Sequence, residues 1–168
     1  MKILIYTTHR TGSTSLAELL MSHYGCDYHR GSLLFPQPEN IIIKITPAEF
    51  RYEVIKDYFD KIIVLIRENT LEQAESRVYA DIVEKKFVPY TIEKQFLMDN
   101  KSKIDEMEQL IIRENNYLKE CEDCLFLTYD ELYNSPNGMF KMEEYLNTKF
   151  SFRIDNRKKY RDNRKSMI

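Results

Sequence analysis

At 168 residues, with 43% hydrophobic and 31% charged side chains, the chain has the composition of one globular domain with a single core. A formal net charge of −2 argues against a general nucleic-acid binder. No apolar run approaches the roughly eighteen residues of a membrane span, and Met1-Lys2-Ile3 enters a strand without a signal-peptide pattern, so a cytoplasmic protein is expected.

Lys2–Tyr6 reads as a short buried strand, followed by a polar turn that ends at Gly12. A helix is expected over Ser13–Tyr24, with Leu16, Leu19 and Leu20 at helical spacing. Such a strand, glycine-containing turn and helix start make an anion cradle. The first N–H groups of a helix lack internal partners, and the helix dipole favours negative charge there. Gly12 lets the backbone approach a phosphate, and Arg10 supplies a charge-assisted fork.

Further along, residues 25–40 read as a loop over the sheet edge and Ile41–Ile45 as the second strand. Pro47 suits the first turn of a helix whose buried face is Phe50, Val54 and Tyr58. Lys61–Ile66 is the third strand, leading into a helix from about Thr70 to Lys86. One long amphipathic helix is expected over Thr91–Lys119, with Ile104, Met107, Leu110, Ile111 and Leu118 on one side. Leu125–Thr128 is the fourth strand, and a last helix covers Met139–Leu146.

Strands separated by helices imply right-handed crossovers and a parallel sheet. The expected fold is therefore α/β: a three-layer α/β/α domain spanning residues 1–168, with a central parallel sheet of about four strands. Ligands then bind at the carboxyl ends of the strands. Of the three cysteines, Cys121 and Cys124 have C-x-x-C spacing. No second pair completes a zinc site, and the intervening acids oppose thiolate formation, so a turn is expected there.

Thr8-His9-Arg10-Thr11-Gly12-Ser13-Thr14-Ser15-Leu16 resembles the 5′-phosphosulfate loop of sulfotransferases that use 3′-phosphoadenosine 5′-phosphosulfate (PAPS). Their carbohydrate and bacterial branches carry an R-[ST]-G-[ST]-[ST] core. A nucleotide triphosphatase loop would instead place Lys after its second glycine. The run from Arg67 to Ser76 and Arg77 resembles the family's R-x-[ND]-x-x-x-Q-A-x-S segment, in which a strand-end Arg and a helix Ser hold the 3′-phosphate. Its spacing is one residue longer than in the cytosolic animal enzymes. Leu127 to Leu132, with Ser135-Pro136, resembles the Y-E-[DE]-L segment, whose role is structural.

The resemblance implies a P-loop-like fold and PAPS as sulfuryl donor, with 3′-phosphoadenosine 5′-phosphate (PAP) as product and no metal. Arg10, Thr11, Gly12, Ser13, Thr14 and Ser15 would bind the 5′-phosphosulfate, and Arg67 and Ser76 the 3′-phosphate. Arg10 would also act on the bridging oxygen, and Lys44 would approach the sulfate. Arg157 and Lys158, in the basic segment 153–168, are candidate nucleotide contacts. That segment reads equally as a basic tail or as a patch for an acidic acceptor.

The acceptor would be a small molecule or carbohydrate, neither nucleic acid nor membrane. The aromatic stretch Tyr79–Tyr90 either lines its cleft or packs in the core. Where the cytosolic animal enzymes carry a catalytic His, this chain has Thr46, so the base is sought after the first helix in His29, Asp27 or Glu39. His29 has the best intrinsic pKa for that task. Alternatives are a PAPS- or PAP-binding module without turnover, and a P-loop phosphotransferase.

Overall fold

Lys2–Thr7 (β1), Ile41–Ile45 (β3) and Lys61–Ile66 (β4) are apolar on nearly every residue because both of their faces are covered. The chain is described here by a computed structural model covering residues 1–31, 39–83 and 91–151. Among these residues, five strands form one parallel sheet in the order β2-β3-β1-β4-β5, with Asp27–Arg30 as β2 and Leu125–Thr128 as β5.

On one face Ile3, Ile5, Ile63 and Leu65 pack against Leu16 and Leu20 of α1 (Ser13–Tyr24) and Met142 of α7 (Asn137–Leu146). On the other, Leu4, Tyr6, Ile43 and Val64 meet Tyr52 and Ile55 of α2 (Tyr52–Ile55) and Leu118 of α5 (Lys101–Lys119). The domain is thus a three-layer α/β/α sandwich. The helix after β1 covers one face and those after β3 and β4 the other, which leaves a crevice over the end of β1. Register keeps the strand ends level, pairing Ile5 with Lys44 and Thr7 with Leu65.

The sheet has five strands where the sequence predicts about four, because residues 27–30 pair with β3 instead of looping over its edge. That short polar run has no apolar period to read, and only the open edge of β3 makes it a strand. Val54 and Tyr58 are 63% and 46% exposed, whereas Tyr52, Ile55 and Phe59 are buried. A separate turn over residues 46–50, closed onto the Thr46 carbonyl, precedes α2 and resets its phase.

The expected long helix is two, α4 (Lys94–Asp99) and α5, separated at Asn100. The Asn100 side chain donates to the Phe96 carbonyl at 2.9 Å, competing with the helical ladder. α3 (Thr70–Val83) packs Ala74 and Val78 against Ile104 and Ile111 of α5. A short α6 (Tyr129–Tyr133) follows β5, its start fixed by a capping box between Thr128 and Glu131. The thiols of Cys121 and Cys124 turn back onto backbone carbonyls, and burial, with Cys124 nearby, pushes Cys121 up to about 12. No helix among the described residues is long and apolar enough to cross a membrane.

Candidate anion-binding site

The turn between β1 and α1 is built by its own hydroxyls. Thr7 Oγ1 donates to the Leu65 carbonyl of β4 at 2.5 Å and lies 2.7 Å from Thr11 Oγ1. Thr11 Oγ1 in turn reaches the Thr8 carbonyl at 3.2 Å. Thr11, expected among the anion ligands, therefore has its hydroxyl turned inward and builds the turn. From outside, fully buried Gln73 of α3 donates to Thr8 Oγ1 at 2.6 Å and to the His9 carbonyl at 2.5 Å. Gln73 is a site residue that sequence reasoning missed. Its only signal is an amide inside the Arg67–Ser76 motif.

Gly12 opens α1 with φ +78°. A Cβ there would lie 2.8 Å from a Tyr133 ring atom and 2.9 Å from a Tyr129 ring atom, and the Tyr133 hydroxyl donates to the Gly12 carbonyl. The segment after β5 thus supports the turn directly. No side chain caps α1 at its start, so the hydroxyls of Ser13, Thr14 and Ser15 do not occupy its first N–H groups by capping. Thr14 is exposed, Ser15 half-buried and Ser13 buried. The result is a helix start that offers N–H groups and a positive dipole end to an anion.

Two guanidinium groups flank it. Arg10, itself at φ +64°, donates from Nε to Ser76 Oγ at 3.1 Å. Arg67 follows β4 with its side chain only 11% exposed. It touches the Arg10 carbonyl at 3.5 Å, pairs with Glu72 at 2.5 Å and lies 4.8 Å over the Tyr129 ring. Asn115 of α5 donates to the Arg67 carbonyl at 3.1 Å. The residues expected to hold two different phosphates, Arg10 on one and Arg67 with Ser76 on the other, meet in one cluster. No protein-family model and no curated protein matches this chain.

Lys44, one residue before the end of β3, is 5% exposed, and among the described residues no carboxylate lies within ion-pair distance of it. Burial first, then Arg30 and Arg10, lowers its pKa from 10.5 to about 8, with Glu49 opposing. His9 is held below its ordinary value by burial, then by Arg77, Lys44 and Arg30, again against Glu49. The depressed Lys44 has a stability consequence. Below about pH 8 both folded and unfolded chains hold the proton, and the folded chain bears the cost of a buried cation. From there to 10.5 the unfolded chain holds more protons, so stability rises with pH. Lys44→Met is expected to stabilise the fold by roughly 2–3 kcal/mol at neutral pH. Thermal unfolding across a pH series should show that gain shrinking between about 8 and 10.5.

Of the expected bases, Asp27 and Glu39 are not brought to this cluster. His29 sits within β2 opposite Ile43, on the α2 face, with Tyr28 on the α1 face. Asp27 opens β2 opposite Ile41, and the Glu39 carbonyl takes the Met1 ammonium at 2.6 Å; both lie at the amino ends of the strands. Tyr79 packs against Phe96, ring centroids 5.0 Å apart. Arg157, Lys158 and the stretch 84–90 lie outside the described residues.

Proposed function

We propose that this chain is a sulfotransferase. In this reading it takes PAPS as donor and passes the sulfuryl group to a hydroxyl or amine of a small-molecule or carbohydrate acceptor. The observation that carries the reading is a row of cations along the carboxyl edge of the sheet, one from each of four neighbouring strands. Arg30 ends β2, Lys44 lies in β3, Arg10 follows β1 and Arg67 follows β4. At about 4.8 Å per strand the row spans on the order of 14 Å. One phosphate needs one cradle; a row of this length suits an extended ligand with several anionic groups.

Sulfuryl transfer asks for charge neutralisation at the bridging oxygen, in-line positioning and a proton acceptor. The N–H groups at the start of α1 would bind the 5′-phosphate, with Arg10 on the bridging oxygen. Arg67 and Ser76 would take the 3′-phosphate, and Lys44 the sulfuryl oxygens. A kinase-type reading would want a Lys after Gly12 and a carboxylate at a strand end for Mg²⁺. The chain has Ser13 and Arg67 at those places.

Calorimetric titration of PAP, and separately of ATP with Mg²⁺, tests the reading. Micromolar PAP binding with weak ATP binding is expected. Preference for ATP with Mg²⁺, or no binding of PAP, overturns it in favour of a phosphotransferase or a generic phosphate site. PAP binding without transfer to any acceptor leaves a nucleotide-binding module.

A further inference from the structure

We propose that Glu49 is the base that takes the acceptor's proton, an assignment that rests on the sulfuryl-transfer reading above. The chemistry requires such a group, and Asp27 and Glu39 lie at the amino ends of the strands. Glu49 is the carboxylate that reaches Lys44 and His9 electrostatically, acting on both against their burial.

Its position is built. The turn after β3 carries Thr46-Pro47-Ala48-Glu49, and Glu49 Oε2 accepts from the Thr46 N–H at 2.7 Å and from the Thr46 hydroxyl at 3.0 Å. These two bonds fix one carboxylate oxygen, while the Glu49 N–H closes the turn onto the Thr46 carbonyl at 2.9 Å. The other, Oε1, faces Gly31, where a Cβ would come within 2.6 Å of it. Gly31 has φ +68° and donates its N–H to the Lys44 carbonyl at 3.0 Å, so the end of β2 is held against the end of β3. The missing side chain at Gly31 gives Oε1 the room to lie against this backbone. Among the described residues no Lys or Arg lies within ion-pair distance of Glu49. The side chain is exposed, so a proton taken from the acceptor can pass to solvent.

The site then has a direction. Arg67 and Ser76 sit on the β4 side, Arg10 and the α1 start at the centre, Lys44 next, and Glu49 with Arg30 toward the β2 edge. An acceptor approaching over β2 and β3 meets the sulfuryl group from the side opposite the leaving phosphate. Its hydroxyl oxygen forms the new bond to sulfur as the S–O bond to the phosphate breaks. The electron pair leaves on the phosphate oxygen, giving PAP, and the hydroxyl proton goes to Glu49.

The test compares wild type with Glu49→Gln, which keeps the Thr46 hydrogen bonds because the amide oxygen of glutamine accepts the same two bonds. PAP affinity is read by calorimetry. PAP release from PAPS is followed with a panel of monosaccharides and primary alcohols, and with 4-nitrophenol, which is ionised at about pH 8 and needs no base. The variant is expected to bind PAP within about twofold of wild type and to lose roughly 10²- to 10⁴-fold in kcat with the sugar or alcohol acceptors. Its rate with 4-nitrophenol should stay within a fewfold. Equal losses with both acceptor types would mean a positioning role and overturn the assignment, as would an unchanged sugar or alcohol rate. PAP binding by the wild type without turnover of any acceptor overturns it too. Failure of the wild type to bind PAP is a different result, which removes the sulfotransferase reading itself.

Discussion

Arg67→Ala is expected to weaken PAP binding by roughly 10- to 150-fold, the loss of one or two hydrogen bonds to a charged group at about 1.5–3 kcal/mol. The fold should survive. The ion pair that Arg67 makes is with Glu72, a side chain 54% exposed, and such pairs contribute little. Its stacking over Tyr129 at 4.8 Å adds on the order of 0.5–1 kcal/mol. Thermal unfolding of the variant should therefore lie close to wild type while the calorimetric affinity drops. An unchanged affinity would take Arg67 out of the site and leave Ser76 as the ligand contact on the β4 side of the crevice. A large fall in melting temperature would instead make Arg67 a structural anchor of the Arg10 turn.

Gly12→Ala is expected to cost on the order of 2–5 kcal/mol and to abolish anion binding. The first part is backbone: an L-residue at φ +78° is strained by about 1–2 kcal/mol. The second is steric. The added methyl would sit 2.8 Å and 2.9 Å from the Tyr133 and Tyr129 rings, which are tied to the turn through the Gly12 carbonyl and to Arg67. Moving those rings adds overpacking of about 1–3 kcal/mol and shifts both the helix start and Arg67. Gly25 provides the control. It has φ +61° and nothing within 4 Å of the added atom, so Gly25→Ala should show the backbone part alone. Urea denaturation of the two variants separates the effects. If both lose the same stability, the tyrosine contact has no energetic role.

What was legible in the sequence was local. Apolar runs at 3–5, 41–45 and 62–66 announce buried strands because a parallel sheet covers both faces of its inner strands. The polar turn ending at Gly12 and the leucines after it announce a helix start able to take an anion. Arg10, Lys44 and Arg67 could be named because each stands at or just past the end of such a run. β2 was not legible, since four half-exposed polar residues acquire strand geometry only by pairing with the free edge of β3. The break at Asn100 was not either, because amphipathic spacing continues across it.

The makeup of the site belonged to tertiary structure. Gln73 bonds to residues 64 and 65 positions earlier in the chain, and Tyr133 to one 121 positions earlier. No spacing rule encodes such contacts. The Thr11 hydroxyl reads as a ligand and instead turns inward, because burial leaves it only the turn to bond. Glu49 reads as an ordinary acid in a turn. It becomes a candidate base only when parallel pairing sets the end of β2, with its side-chain-free Gly31, against the end of β3. Local periodicity thus determined which segments are strands and helices. Which polar groups share a space was decided by strand order and register, since these bring together residues that lie far apart along the chain.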